Sequence, residues 1–218
     1  MPPKPAVLVA DNRAGGTYLT LALSNHPDIH CTRGSPVHHK SAWKVVRGGN
    51  LFGLLWSQQY YDVSMFKLGL KAALRHWETV EAHKPPAKVI FLIRKDVLAQ
   101  AVSRTVQSLR NHSREKIIVK PTTLNVARVV KYYKFYQKGR RQIKQLAAKT
   151  SLPSLLLTYE EVTGNIDATC VPKKATKKIC NFLEVPVLPL CQGMHKVNPE
   201  PHRKWVLNWN EVLKAAGR

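Results

Sequence analysis

The chain has 218 residues, enough to bury a real core as one domain, and its 44% hydrophobic content sets aside wholesale disorder. Thirty-five Lys and Arg against thirteen Asp and Glu leave a net charge of +22, which favours anionic ligands or polyanionic partners and says nothing of fold. Cys31, Cys170, Cys180 and Cys191 form no CxxC pair and lie at no zinc spacing, so they read as reduced thiols, not as a disulfide scaffold or a metal site.

No apolar run approaches the roughly 18 to 20 residues that span a bilayer. The short apolar stretch before Asp11 is also too brief for a signal-peptide core, so a soluble, cytoplasmic protein is expected.

Ala6–Ala10 is an apolar run suited to a buried strand. Asp11-Asn-Arg-Ala-Gly-Gly-Thr17 follows as a polar turn, and residues 18–24 carry apolar side chains at helical spacing. Gly15 and Gly16 let the backbone take unusual dihedrals and let an anion approach the N–H groups at a helix N-terminus. Arg13 adds a permanent forked cation and Thr17 a hydroxyl donor. Residues 11 to 18 therefore read as a phosphate cradle, although an ordinary strand-to-helix bend would show similar letters. The nucleoside-triphosphatase loop is set aside because no Lys-Ser/Thr pair follows Gly16, and the dinucleotide fingerprint is absent.

Residues 28–40 look like a loop carrying His30, His38 and His39, long enough to reach back over the cradle. A helix is expected after Asn50, a strand over 63–70 and a helix over 70–83, stopped by Pro85-Pro86. Lys88-Val-Ile-Phe-Leu-Ile-Arg94 is a run of the kind found in buried parallel strands, and 96–109 repeats at helical spacing, so a second strand-turn-helix unit turns at Arg94. Residues 111–123 read as a flexible polar loop, and 124–149 as a helix whose many Lys and Arg make a solvated face. A strand over 155–159, a helix over 175–183 and a C-terminal helix over 205–216 complete the chain.

Alternating strands and helices argue for an α/β fold with a mostly parallel sheet flanked by helices, in one domain spanning 1–218 with a helical tail over 196–218. Ligands of such sheets bind beyond the carboxyl ends of the strands, where Arg13 and Arg94 both fall.

Several motifs together resemble the sulfotransferase family, enzymes that take 3′-phosphoadenosine-5′-phosphosulfate (PAPS) as donor. Asn12-Arg-Ala-Gly-Gly-Thr-Tyr-Leu19 is similar to the family's 5′-phosphosulfate loop, and Leu23–Ile29 to the segment after it in bacterial carbohydrate sulfotransferases. Phe91-Leu-Ile-Arg94 with Ser103 resembles the 3′-phosphate motif, Leu157–Val162 a later strand with its Tyr-Glu element, and Lys196–Pro199 with Asn208–Val212 the C-terminal pattern.

The resemblance implies a P-loop-like sulfotransferase fold and transfer of a sulfuryl group to a carbohydrate or glycolipid hydroxyl, or to an amine, with no metal. It implies donor binding by Arg13, Ala14, Gly15, Gly16, Thr17, Tyr18, Arg94 and Ser103, with Arg13 stabilising the departing phosphate and Lys67 touching the transferring group. Two departures stand out. Gly16 holds a place usually given to Ser or Thr, and Ser35 stands where carbohydrate relatives often have a Glu base; a serine has no suitable pKa for that task. His38 and His39 are the nearest substitutes. The rival readings are a nucleotide-binding homologue without chemistry and a polyanion or nucleic-acid binder, the latter disfavoured because aromatics and cations form no RNA-binding motif. A basic surface suits an acceptor that already carries acidic or sulfated groups.

Overall fold

The computed structural model describes residues 4–31, 61–82, 86–109, 121–164, 169–192 and 202–218. Five strands form a parallel sheet in the order β2-β3-β1-β4-β5: β1 (Lys4–Ala10), β2 (Ile29–Cys31), β3 (Val63–Gly69), β4 (Lys88–Ile93) and β5 (Ser154–Thr158). The helices are α1 (Gly16–Leu23), α2 (Leu70–Glu81), α3 (Val97–Leu109), α4 (Val126–Lys149), α5 (Tyr159–Thr163), α6 (Lys173–Leu183) and α7 (Trp209–Ala215).

The apolar runs are continuous because both sheet faces are covered. On β1, Ala6, Leu8 and Ala10 face a core shared with Leu19 and Leu23 of α1 and Ile179 and Leu183 of α6. Val7 and Val9 point the other way, toward Trp77 and Val80 of α2 and Ile143 of α4. A third cluster joins Val97 and Val102 of α3, Val129 and Tyr136 of α4, and Trp205 and Val212 of the C-terminal segment.

β1 is the middle strand, pairing β3 through Val7↔Phe66 and β4 through Val9↔Phe91. The chain leaves β1 toward β2 and β3 on one side and continues to β4 and β5 on the other. The strand order thus reverses between β1 and β4, the topological position at which open α/β sheets hold ligands.

Three sequence expectations are corrected. Part of the loop expected over 28–40 is a strand, β2, because Ile29 and Cys31 are buried while they pair with Val63 and Met65. The helix expected over 205–216 begins only at Trp209. Asn208 before it is non-helical and spends its side chain on the Leu124 backbone, accepting from the N–H at 3.0 Å and donating to the carbonyl at 2.9 Å. The third correction concerns the cysteines.

Cys170 and Cys191 form a disulfide; Cys31 and Cys180 are free and buried. An antiparallel bridge explains the pairing: Val171 N–H donates to Leu190 O and Gln192 N–H to Thr169 O, which sets the two cysteines opposite one another across a separation of 21 residues. Spacing alone could not show this. Such bonds persist in oxidising compartments and are rare in the cytosol. Closing a loop of that length stabilises a fold by about 3 kcal/mol. The Cys170→Ser, Cys191→Ser variant is expected to lose about that much in equilibrium denaturant unfolding, with dithiothreitol destabilising the parent equally and the variant not at all.

Candidate active site

The turn after β1 is built by two left-handed residues, Arg13 at φ 64° and Gly15 at φ 87°, with Ala14 N–H donating back to Asp11 O at 3.2 Å. Alternating backbone handedness of this kind turns successive N–H groups toward one concavity, and the first-turn donors of α1 have no intrahelical acceptor. A Cβ at Gly15 would lie 2.5 Å from Cδ2 of Tyr159, so that aromatic ring closes one wall of the cradle. Gly15→Ala is therefore strained twice, by sterics and by its positive φ. Its unfolding midpoint should fall by several degrees, and anion affinity should fall with it; an unchanged midpoint in a thermal scan would mean that the ring does not rest on the loop.

Gly16 is equally enclosed. A Cβ there would meet Ala10 Cβ at 3.0 Å and Lys67 Cδ at 3.1 Å. The stem of Lys67, from β3, therefore lies along the loop, and its Nζ donates to Thr17 Oγ1 at 3.2 Å. Burial lowers the Lys67 pKa from its usual value. Glycine at position 16 thus leaves room for the lysine stem.

Arg13 reaches across the β1–β4 crevice, donating from Nε to Ser103 Oγ at 3.0 Å. Arg94, at the end of β4, brings Nη1 to 3.5 Å from the Arg13 carbonyl, and its guanidinium lies 4.3 Å above the Tyr159 ring. Burial, and after it the neighbouring cations Arg94 and Arg104, lower the Arg13 pKa, while Tyr136 opposes that shift. Two arginines brought to adjoining strand ends, each charge acting on the other, are matched to an anion with more than one charged group.

No family model matches the chain, and no curated protein sequence matches it. Among solved structures it matches the crystal structure of a sulfotransferase from Alicyclobacillus acidocaldarius, with a TM-score of 0.53 at 15% identity, over 100% of this chain and 97% of that one. The chain has a sulfotransferase fold.

On that fold Arg13 is bonded to Ser103 and its carbonyl to Arg94, Lys67 is bonded to Thr17, and Ala14, Gly15, Gly16 and Tyr18 form or adjoin the loop. His38, His39 and Ser35 lie outside the described residues, as do Lys196–Pro199, the helix expected after Asn50 and most of the loop expected over 111–123. No group of metal-ligating side chains occurs among the described residues, and no helix there is long and apolar enough to cross a membrane.

Four further residues shape the site; of these the sequence offered Glu160, with Glu161, only as a structural group closing the site by hydrogen bonds, and Tyr159 only as part of a Tyr-Glu element. Gln100 donates from Nε2 to Asn12 O at 2.7 Å and so pins the loop to α3; it is buried on that helix together with Ser103 and Thr105, a polar cluster in an otherwise apolar face. Tyr159 carries Arg94. Glu160 accepts from the N–H groups of Lys95 and Asp96, fixing the turn from which Arg94 emerges, while Glu161 completes a capping box with Thr158. Asp11 is the fourth.

The Asp11 Oδ2 is buried without a hydrogen-bond partner beneath Gly139 of α4, where a Cβ would come within 2.5 Å of it, and Leu70 and Tyr136 stand nearby. Desolvation raises its pKa to about 6, against a smaller opposing effect of the Asn12 N–H; Tyr136 is pushed up to about 12 by burial and by Asp11. A carboxyl raised in the folded state opposes folding as it ionises. The penalty is absent below the unfolded pKa near 4 and complete above about 6. The stability difference between Asp11→Asn and the parent should therefore move in the variant's favour by about 2–3 kcal/mol between pH 4 and pH 8. Chemical denaturation at the two pH values measures it, and a pH-independent difference would show that Asp11 titrates normally.

Proposed function

We propose that the protein is a sulfotransferase that moves a sulfuryl group from PAPS to a hydroxyl, or an amine, of a carbohydrate-type acceptor. The observation that carries this reading is the convergence of Arg13 and Arg94 at the β1–β4 strand ends, beside a glycine loop whose walls leave no room for a Cβ. The residues present fit a donor with phosphate groups on both sides of its ribose. Ala14, Gly15, Gly16, Thr17 and Tyr18 with Arg13 would hold the phosphosulfate end, and Arg94 with Ser103 the 3′-phosphate.

Bound there, the donor supplies an activated sulfuryl group. The acceptor oxygen forms a bond to sulfur as the bond between sulfur and the phosphate oxygen breaks, and negative charge grows on that phosphate. Arg13 and the loop N–H groups are already aimed at this place, so stabilising the charge requires no reorganisation. Lys67, held at Thr17, would meet the oxygen atoms of the transferring group. The acceptor's proton passes to a base, for which His38 and His39 are the candidates.

The Ser35 substitution favours one other reading, a homologue that binds nucleotide without turning it over. Transfer of label from 35S-PAPS to a panel of oligosaccharides separates the two. Transfer supports the enzyme; donor binding without transfer to any hydroxyl or amine acceptor supports the binding protein.

A further inference from the structure

The helix α4, Val126–Lys149, contains no acidic residue. Lys131, Lys134, Lys138, Arg141 and Lys149 are all exposed, and at about 100° per residue they share an arc of about 80° and extend for about 27 Å. The buried residues Val129, Tyr136, Gly139 and Ile143 occupy the opposite face. Among the described residues none of these five cations has an acidic partner. Like charges three and four residues apart weaken a helix, and a face kept only for solubility would gain by interleaving Glu.

The stripe is also connected to the crevice. Arg104 of α3 acts electrostatically on Arg13 and sits over the Tyr132 ring at 5.9 Å. Tyr132 in turn takes a hydrogen bond from Arg128, one helical turn before Lys131. Arg13, Arg104, Arg128 and Lys131 thus mark a cationic path from the donor cradle to the outer face of α4.

We propose that the outer face of α4 is an exosite for a linear polyanionic glycan, a sulfated or uronate-rich chain whose reacting sugar lies at the crevice while its further units track the stripe. The inference rests on the sulfotransferase reading for the identity of the polymer, and the stripe itself for its charge. A straight row of cations is matched to an extended chain with regularly spaced anions. One aromatic ring, Phe135, flanks the row with 57% of its surface exposed, enough to stack on a sugar. A single-stranded nucleic acid would use several such rings in succession. An amphipathic membrane helix needs an apolar outer face, which this helix lacks.

The test is equilibrium binding of the full chain to dextran sulfate, to neutral dextran of equal length and to oligothymidylate, at several salt concentrations. Dextran sulfate should bind and neutral dextran should not. Lys131→Gln, Lys134→Gln, Lys138→Gln, Arg141→Gln together should weaken dextran sulfate at least tenfold and reduce the slope of log K against log salt by about 3, as loss of four counterion-releasing contacts requires. Lys138→Gln alone, a mild surface change, should reduce it by about 0.7. A control with the same charge loss elsewhere, Lys71, Lys173, Lys174 and Lys177 to Gln, should behave like the parent.

Equal binding by stripe variant and parent, or equal loss in the control, overturns the proposal. So does tighter binding of oligothymidylate than of dextran sulfate through the same four residues, which would assign the face to nucleic acid. Thermal stabilisation by adenosine 3′,5′-bisphosphate is read on the same samples and should be unaffected in all variants. If no variant or parent responds to the nucleotide while the glycan pattern holds, the exosite stands and the donor assignment fails; the converse result rejects the exosite alone.

Discussion

Arg13→Ala is expected to lower the rate of sulfuryl transfer by 100- to 1000-fold, the usual cost of removing one preorganised charge-stabilising donor, while the fold survives. Among the described residues its side chain donates to a hydroxyl, Ser103 Oγ, and pairs with no carboxylate, so its removal strands no buried acid. Arg13→Lys should recover part of the loss, since a lysine restores the charge without the forked geometry. The comparison is made by initial rates with 35S-PAPS, alongside a thermal scan. A variant that turns over within threefold of the parent would mean that the departing phosphate is stabilised elsewhere.

Arg94→Ala should weaken adenosine 3′,5′-bisphosphate by 30-fold or more. Arg94 is buried on the Tyr159 ring, and removing one member of a desolvated charge pair costs about 2–5 kcal/mol. At a ligand concentration 100 times the dissociation constant the parent gains about 2.7 kcal/mol of stability. At the same concentration a variant weakened 30-fold gains about 0.9 kcal/mol, so its unfolding midpoint should rise by about a third of the parent's shift or less. Arg94→Lys is a stringent companion, because an ammonium cannot lie flat on the ring and present two parallel donors. A variant that shifts as far as the parent would place the second anionic group away from β4.

Much of this site could be anticipated because it is local. A strand, a glycine turn and a helix occupy consecutive residues, so the cradle at 11–18 is visible in the letters, and the run ending at Arg94 announces the second strand end. Which two turns face one another is a matter of strand order, and no residue encodes that by itself; the reversal between β1 and β4 is what joins Arg13 to Arg94. The contacts of Tyr159 and Gln100 were not legible because each acts through a distant partner, a glycine backbone in one case and a carbonyl 88 residues away in the other. Asp11 escaped because its burial depends on Gly139, more than a hundred residues later. The Cys170–Cys191 bond is a register effect of two short segments, invisible to spacing rules.

Calorimetric titration of parent and Arg94→Ala with adenosine 3′,5′-bisphosphate and with adenosine 5′-monophosphate tests most directly whether the two arginines hold opposite ends of one ligand. The parent should prefer the bisphosphate by 30-fold or more, and the variant should bind both nucleotides alike, with an affinity close to that of the parent for the monophosphate. A parent indifferent to the 3′-phosphate, or a variant that keeps the full preference, would contradict the account.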